Sequence, residues 1–398
     1  MSRLRAINAR AGSLFCRFSE MGMISCSMGH TIMLRAGFVG LPNTGKTTLF
    51  NAVTSQTTAV TANYAFSTSK PNVGVVSVPD ERLGPLAKLV KTEKIVPATV
   101  EFVDIAGLVR GSSQGEGVGN QFLHAIRETD TMIHVVRCFE NETVPHVEET
   151  LDARRDIETI QIELALADLA AVERRRERVQ KTAKGGDKTA KAELAVLDKL
   201  QPALEEFRPA RSVSLTDEEQ AIARNLFLLT MKPTIYAANV NETSLGAPDE
   251  DEHVKAIRDV ALAEGSECVV ICAQLEADLV ALSAEERAEY LASLGVKSSG
   301  VDRLIKSAYR VLGLTSFLTA GEKEARAWTI PQNSRAQDAA GAIHSDIARG
   351  FIRAEIVSYD DLIRVGSYSA ARDQGLLRLE GKDYIMQEGD IVNFRFNV

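Results

Sequence analysis

Three absences narrow the reading of this 398-residue chain before any motif is considered. No apolar run approaches the ~18–20 residues of a membrane-spanning helix, which argues against a membrane protein. The five cysteines (Cys16, Cys26, Cys138, Cys268 and Cys272) are odd in number and contain no C-x-x-C pair. That usage points to reduced thiols in a reducing compartment and away from a zinc site. There is no basic excess either. The net charge is −8, so any contact with nucleic acid has to come from a local patch. A chain of this length buries a sizeable core and is expected to divide into roughly two or three domains.

What is present centres on Gly40-Leu41-Pro42-Asn43-Thr44-Gly45-Lys46-Thr47-Thr48, which fits G-x-x-x-x-G-K-[ST], the phosphate-binding P-loop. Glycines in that order let backbone N–H groups turn inward on phosphate oxygens. Lys46 then reaches the β- and γ-phosphates, and Thr47 supplies a hydroxyl to Mg²⁺. Residues 34–39 read as an apolar strand entering the loop and residues 47–53 as a helix leaving it, with its N-terminal dipole toward the phosphates. Asn43, Thr44, Gly45, Lys46, Thr47 and Thr48 are the candidate contacts.

Residues 1–32 differ from the rest. Arg3, Arg5, Arg10 and Arg17 face one acid, Glu20, among many Ser and Met. The composition fits an organellar transit peptide, or a start assigned too early with Met33 opening the first strand. The second reading is preferred and gives a cytoplasmic protein; the first gives an organelle stroma or matrix. The segment is expected to be disordered on both.

Downstream, residues 72–78 are β-rich, and Leu83, Leu86 and Leu89 mark a short amphipathic helix. Residues 99–103 form a strand that runs into Asp104-Ile105-Ala106-Gly107. In P-loop enzymes such an aspartate holds Mg²⁺ through water, and the glycine N–H senses the γ-phosphate. The run 111–119 (GSSQGEGVG) is glycine-rich enough to act as a switch. Residues 131–139, 234–238 and 268–273 read as further buried strands. Together they predict a doubly wound α/β sheet with ligand at the strands' C-terminal edge.

An insertion at about residues 152–225 has a helical period instead. Ile157, Ile160, Leu164 and Ala167 repeat before Gly185-Gly186-Asp187, and Leu194, Leu197, Leu200 and Leu204 after it. This predicts a helical hairpin, or coiled coil, turning at the glycines. Eight Lys/Arg stand against Glu177 and Asp187 between Arg174 and Lys191. That tip is either a solvated end or a finger for the phosphate backbone of RNA. From residue 315, short strands around a helix at 336–348 predict a β-grasp-like module with ten Lys/Arg and twelve Asp/Glu, no nucleic-acid grip by charge. The expected order is an extension (1–32), a nucleotide-binding domain (33–290) carrying the hairpin, a linker (291–314) and the module (315–398).

Several long stretches carry a family resemblance. GLPNTGKTTLFNAVT, VEFVDIAGLVRGSSQGEGVGNQFLHAIRETD, HVVRCFEN, IELALADLAAVE and the loop NVNE resemble the YchF / Obg-like ATPase family, and the resemblance runs from Met33 to Val398. It implies a Ras-like P-loop NTPase sheet with an inserted hairpin and a C-terminal TGS-like domain. It also implies a monomeric nucleotide hydrolase that associates with the ribosome or its large subunit and prefers ATP.

The base loop gives that preference a physical footing. GTPases read guanine with N-K-x-D, whereas this loop is Asn239-Val240-Asn241-Glu242. The lysine is gone and the acid is one methylene longer. A guanine without a well-placed acceptor loses about 1–3 kcal/mol. Asn239 stays available to the purine edge, and the family pattern gives the backbone of Val240 to adenine.

Other departures bear on catalysis. Leu108 follows D-x-x-G where Ras-type enzymes place a water-orienting glutamine, so turnover should be slow without a partner. The resemblance implies His146 for that role; the plainer alternative is a surface histidine. His134, inside an apolar strand, reads as structural. The family's switch I pattern, N-[FY]-P-F-C-T-I-x-P-N, meets Asn63-Tyr64-Ala65-Phe66-Ser67-Thr68-Ser69-Lys70-Pro71-Asn72 here. Thr68 keeps the place that closes on the γ-phosphate and Mg²⁺, but the loop has lost a proline and an isoleucine. The implied metal set is Thr47, Thr68 and, through water, Asp104. Asn43 is a candidate to hold K⁺, or else a loop-stabilising residue. A conventional GTPase and a nucleotide-gated ribosome adaptor with incidental turnover remain the alternatives.

Overall fold

A computed structural model describes residues 34–58, 72–105, 107, 111, 118–148 and 150–397. The expectations for residues 1–32, for Thr68 and switch I, for Leu108 and for most of the run 111–119 lie outside these residues. The chain forms two compact units, one from residues 34–76 and 101–311, the other from 77–100 and 312–398.

The first unit is built on β1 (Arg35–Val39), α1 (Lys46–Thr58) and β2 (Val73–Ser77); α2 (Leu83–Val90) and β3 (Ile95–Val96) belong to the other unit. Then come β4 (Thr99–Asp104), α3 (Val118–Arg127), β5 (Thr131–Cys138), α4 (Ala153–Lys184), α5 (Lys188–Glu205) and α6 (Asp217–Arg224). They are followed by β6 (Thr234–Val240), α7 (Glu252–Glu264), β7 (Glu267–Ile271), α8 (Ala273–Leu279), α9 (Ala284–Ser293) and α10 (Gly300–Val311).

The six-stranded sheet has the order β2-β4-β1-β5-β6-β7. Strands β5 and β6 are buried along their whole length, which suits parallel strands covered on both faces. The pairs β4–β1, β1–β5, β5–β6 and β6–β7 are parallel. At the edge, Asp104 N–H bonds Asn72 O and Val78 N–H bonds Ala98 O, so β2 and β4 run antiparallel. On one face Phe38 packs on Phe50 of α1 and on Phe102. On the other, Ala153 and Ile157 of α4 join Tyr236, Val240, Val254 and Ile257. Register brings Phe38 beside Asp104 and Arg137 beside Asn239, so the P-loop, Asp104 and the base loop share one edge.

The hairpin turns where the glycines predict. Asp152 caps α4 by accepting from the amides of Arg154 and Arg155, and Asp187 caps α5 by accepting from Ala190. Ala165, Val172, Val196, Leu197, Leu200 and Leu204 fill the hairpin's core. Residues 291–314 are no linker: half of them form α10, whose Val301, Leu304, Ile305 and Ala308 are buried. Those positions fall at helical spacing, a period the linker reading overlooked. Among the described residues no helix is long and apolar enough to cross a membrane.

The second unit adds β8 (Leu314–Ala320), β9 (Ala325–Pro331), α11 (Ala336–Ile343), α12 (Ser345–Arg349), β10 (Phe351–Ser358), α13 (Tyr359–Val365), α14 (Tyr368–Asp373), β11 (Arg378–Glu380) and β12 (Asp390–Phe396). Its sheet order is β11-β10-β12-β8-β9-β3. A parallel contact between β8 and β12 lies between antiparallel pairs, and Ala336, Ala339 and Ala340 seat α11 on Phe317, Ile356 and Phe394. Residues 77–100, assigned by sequence to the nucleotide-binding domain, complete this sheet. Ile95 pairs with Ala325, and Arg82 joins Asp80 to Glu388 at 2.7 and 2.5 Å. Nothing local marks that excursion, because its partners lie more than two hundred residues downstream.

Candidate nucleotide-binding site

The P-loop is held by its own backbone and by one distant asparagine. Thr44 Oγ1 and Lys46 Nζ both donate to Leu41 O, at 3.1 and 2.6 Å. Gly45 has φ +91°, and a Cβ there would lie 2.4 Å from Asn239 Nδ2, so only glycine fits. Lys46 is buried, which pushes its pKa down to about 8, with Asp104 pulling the other way. Thr48 lies in the first turn of α1, partly covered. Gly107 comes against the same lysine: a Cβ there would stand 3.3 Å from Lys46 Nζ and 3.2 Å from Pro42 N.

Thr47 Oγ1 donates to Asp104 Oδ2 at 2.9 Å. With its proton committed to Asp104, the threonine oxygen keeps lone pairs for a metal, and the aspartate keeps charge for a metal-bound water. Among the described residues no group of three or more His, Cys, Asp or Glu forms a cage. Mg²⁺ is usually bound by one or two protein oxygens plus waters and phosphates, so this all-oxygen pair fits it. Thr68, the third expected ligand, is outside the described residues.

The base loop departs from expectation in detail. Asn239 donates from Nδ2 to Thr44 O and accepts on Oδ1 from the Ala273 amide, both at 2.9 Å. It therefore clips the P-loop to the turn after β7, with one Nδ2 proton left for a purine edge. The Val240 side chain is in the core. Glu242 accepts from Tyr290 Oη of α9 at 2.6 Å, a partner that the sequence did not suggest.

His146 is not the surface residue of the plainer reading, since its side chain is 6% exposed. Nδ1 accepts from the Glu148 amide at 3.1 Å, so Nε2 carries the proton that meets Asp156 Oδ2 at 2.8 Å. Burial holds the Asp156 carboxyl above the usual range, opposed by His146 and Arg155. One residue earlier, Pro145 O accepts from Asn43 Nδ2 at 3.2 Å, which is the loop-bridging role for Asn43. His134 is buried against Tyr236; burial, Lys46 and Arg211 lower its pKa to about 3, and it is neutral.

Sequence reasoning missed three site residues. Arg137 donates to Asn43 O, Phe139 O and Val144 O, tying the loop after β5 to the P-loop. Asp156 and Glu163 are buried acids on α4. A signal existed for each: a charge inside an apolar strand, and acids on the apolar stripe of a helix.

The mostly parallel sheet, its phosphate loop and the clipped base loop define the class, a P-loop nucleotide-binding protein with a Ras-like fold. Residues 35–167 match the family described as 50S ribosome-binding GTPase, and residues 314–397 match the YchF-GTPase C-terminal family described as a protein of unknown function (DUF933). The chain is 50% identical over 365 residues to the ribosome-binding ATPase YchF of Bacillus subtilis (strain 168), covering 92% of this chain and 100% of that one. It is 51% identical over 364 residues to the protein so named from Escherichia coli O157:H7, covering 92% and 99%. The structure of the Schizosaccharomyces pombe YchF GTPase matches with a TM-score of 0.82 at 34% identity, covering 93% and 100%. The chain belongs to the YchF family.

Proposed function

We propose that this protein is a Mg²⁺-dependent nucleotide hydrolase that prefers ATP to GTP, binds the large ribosomal subunit and works as a slow switch. The observation that carries hydrolysis is the Thr47–Asp104 pair beside Lys46 and Gly107. Lys46 would grip the β- and γ-phosphates, and the Gly107 amide would meet the γ-phosphate. Thr47 and Thr68, with Asp104 through water, would hold the metal, which when bound neutralises charge building on the phosphate oxygens. Loss of the guanine-reading lysine and engagement of Glu242 by Tyr290 support ATP over GTP. The test is competition binding: GTP displacing ATP at a tenth of the concentration would contradict the preference.

Leu108 leaves the attacking water without an orienting side chain. His146 is our candidate for that role, and it would first have to leave Asp156 and the Glu148 amide. If His146→Ala turns over ATP at the wild-type rate, with and without ribosomes, that assignment fails. Ribosome binding is supported by the names of the relatives and by the hairpin tip, 174–191. There Arg175 and Arg176 pair with Glu193 and Asp198, while Arg178, Lys181, Lys184, Lys188 and Lys191 are exposed. We assign the RNA contact to those five. A K⁺ ion beside Asn43 is tested by comparing turnover in Na⁺ and K⁺; equal rates remove it.

A further inference from the structure

Three acids on the apolar stripe of α4 are buried, and each holds a different piece of the nucleotide-binding unit. Asp156 meets His146 at 2.8 Å. Glu163, 5% exposed, accepts from the Gly111 amide at 2.6 Å. Asp168, 1% exposed, accepts from the amides of Leu229 and Thr230 at 2.8 and 2.7 Å, at the turn that leads into β6 and Asn239. Burying a carboxylate is costly unless it is well bonded, and an apolar side chain would pack this stripe more cheaply. Packing alone does not call for acids here.

Glu163 differs from its two neighbours in what it grips. Gly111 lies four residues after Gly107, which rests against Lys46. From Glu163 the helix continues unbroken to Lys184 and the basic tip. A small change at Gly111 therefore has a rigid path to a surface far from the phosphates.

We propose that α4 transmits nucleotide state to the hairpin tip, with Glu163 as the contact that reads the position of Gly111. This rests on the nucleotide-binding reading above. Glu163 is a positioning residue acting through the Gly111 amide. Coupling of this kind is reciprocal, so a partner gripping the tip changes nucleotide affinity by the same factor that nucleotide changes its own.

Hydrogen exchange of the full chain, empty and saturated with a non-hydrolysable ATP analogue, tests this in wild type, Glu163→Met and Glu163→Gln. Methionine keeps the volume and removes the acceptor; glutamine keeps an acceptor and removes the charge. We expect the analogue to change exchange at residues 105–123 and along the hairpin together, by about fivefold or more. Glu163→Met should keep the first change and lose the second, and Glu163→Gln should keep both. A titration with a fluorescent ATP derivative separates the failures. No binding by the wild type removes the nucleotide reading and the coupling with it. Binding with an indifferent hairpin, or an undiminished hairpin response in Glu163→Met, overturns the coupling alone. Should Glu163→Met fail to fold, the wild type decides: joint change supports the proposal, and change at 105–123 alone overturns it.

Discussion

Asn239 lies 195 residues beyond Thr44 and donates to its carbonyl oxygen over 2.9 Å. Because Oδ1 of the same side chain accepts from Ala273, one residue fixes the P-loop, the base loop and the turn after β7 as a single piece. Asn239→Ala strands a buried amide and a buried carbonyl, at about 1–3 kcal/mol each. Its denaturant midpoint should fall, and nucleotide affinity should fall with it. Unchanged affinity in a folded variant would mean that the clip does not shape the P-loop.

Asp104→Asn tests the metal pair. The shape survives, but the charge that would hold a metal-bound water is lost. Turnover should drop by about 10²–10³, comparable to losing one transition-state stabilising group. The Mg²⁺ concentration for half-maximal rate should rise, while fluorescent ATP should still bind. An unchanged Mg²⁺ dependence would remove Asp104 from the site.

His134 predicts a pH dependence. An ordinary histidine titrates near 6.5 and this one near about 3, chiefly because it is buried. The unfolded chain takes up the proton and the folded chain does not. Stability from this residue is therefore full above pH 6.5 and is lost as the pH falls toward 3. At about pH 5 the loss is about 2 kcal/mol. His134→Gln should lower the melting temperature less than wild type between about pH 7.5 and pH 5. Equal losses in both would refute the assignment.

Arg82 tests the split second unit. It bonds Asp80 twice and Glu388 once, and Glu388 in turn accepts from Thr315 Oγ1 and the Ser316 amide. Arg82→Ala leaves Asp80, 9% exposed, without its cation, at a cost of about 1–3 kcal/mol. Residues 312–398 produced alone should be unstable and should gain order with residues 77–100 fused to them. A stable isolated 312–398 would contradict this organisation.

Much of the fold was legible because its signals are local. The strands at 35–39, 131–138 and 234–240 are apolar runs, the P-loop is a contiguous motif, and Gly185-Gly186 announces its own turn. The excursion at 77–100 was not legible, since β3 is two residues long and exists only by pairing with Ala325 and Arg326. The helix α10 is written in the helical spacing of Val301, Leu304, Ile305 and Ala308, in a stretch whose polar and glycine residues also suit a linker. In the site, the residue types of the P-loop and Asp104 named their own chemistry. His146 did not, because its meaning depends on Asp156 and the Glu148 amide, and Glu242 did not, because Tyr290 is folded onto it by α9.

In the proposed function the protein is a slow switch whose turnover waits on a partner. Steady-state ATP hydrolysis, measured alone and with purified large ribosomal subunits, tests it most directly, with Lys46→Ala as the blank. The expected result is slow turnover alone and a saturable rise with added subunits, absent from Lys46→Ala. Turnover that is already fast alone, or that saturating subunits leave unchanged, would contradict it.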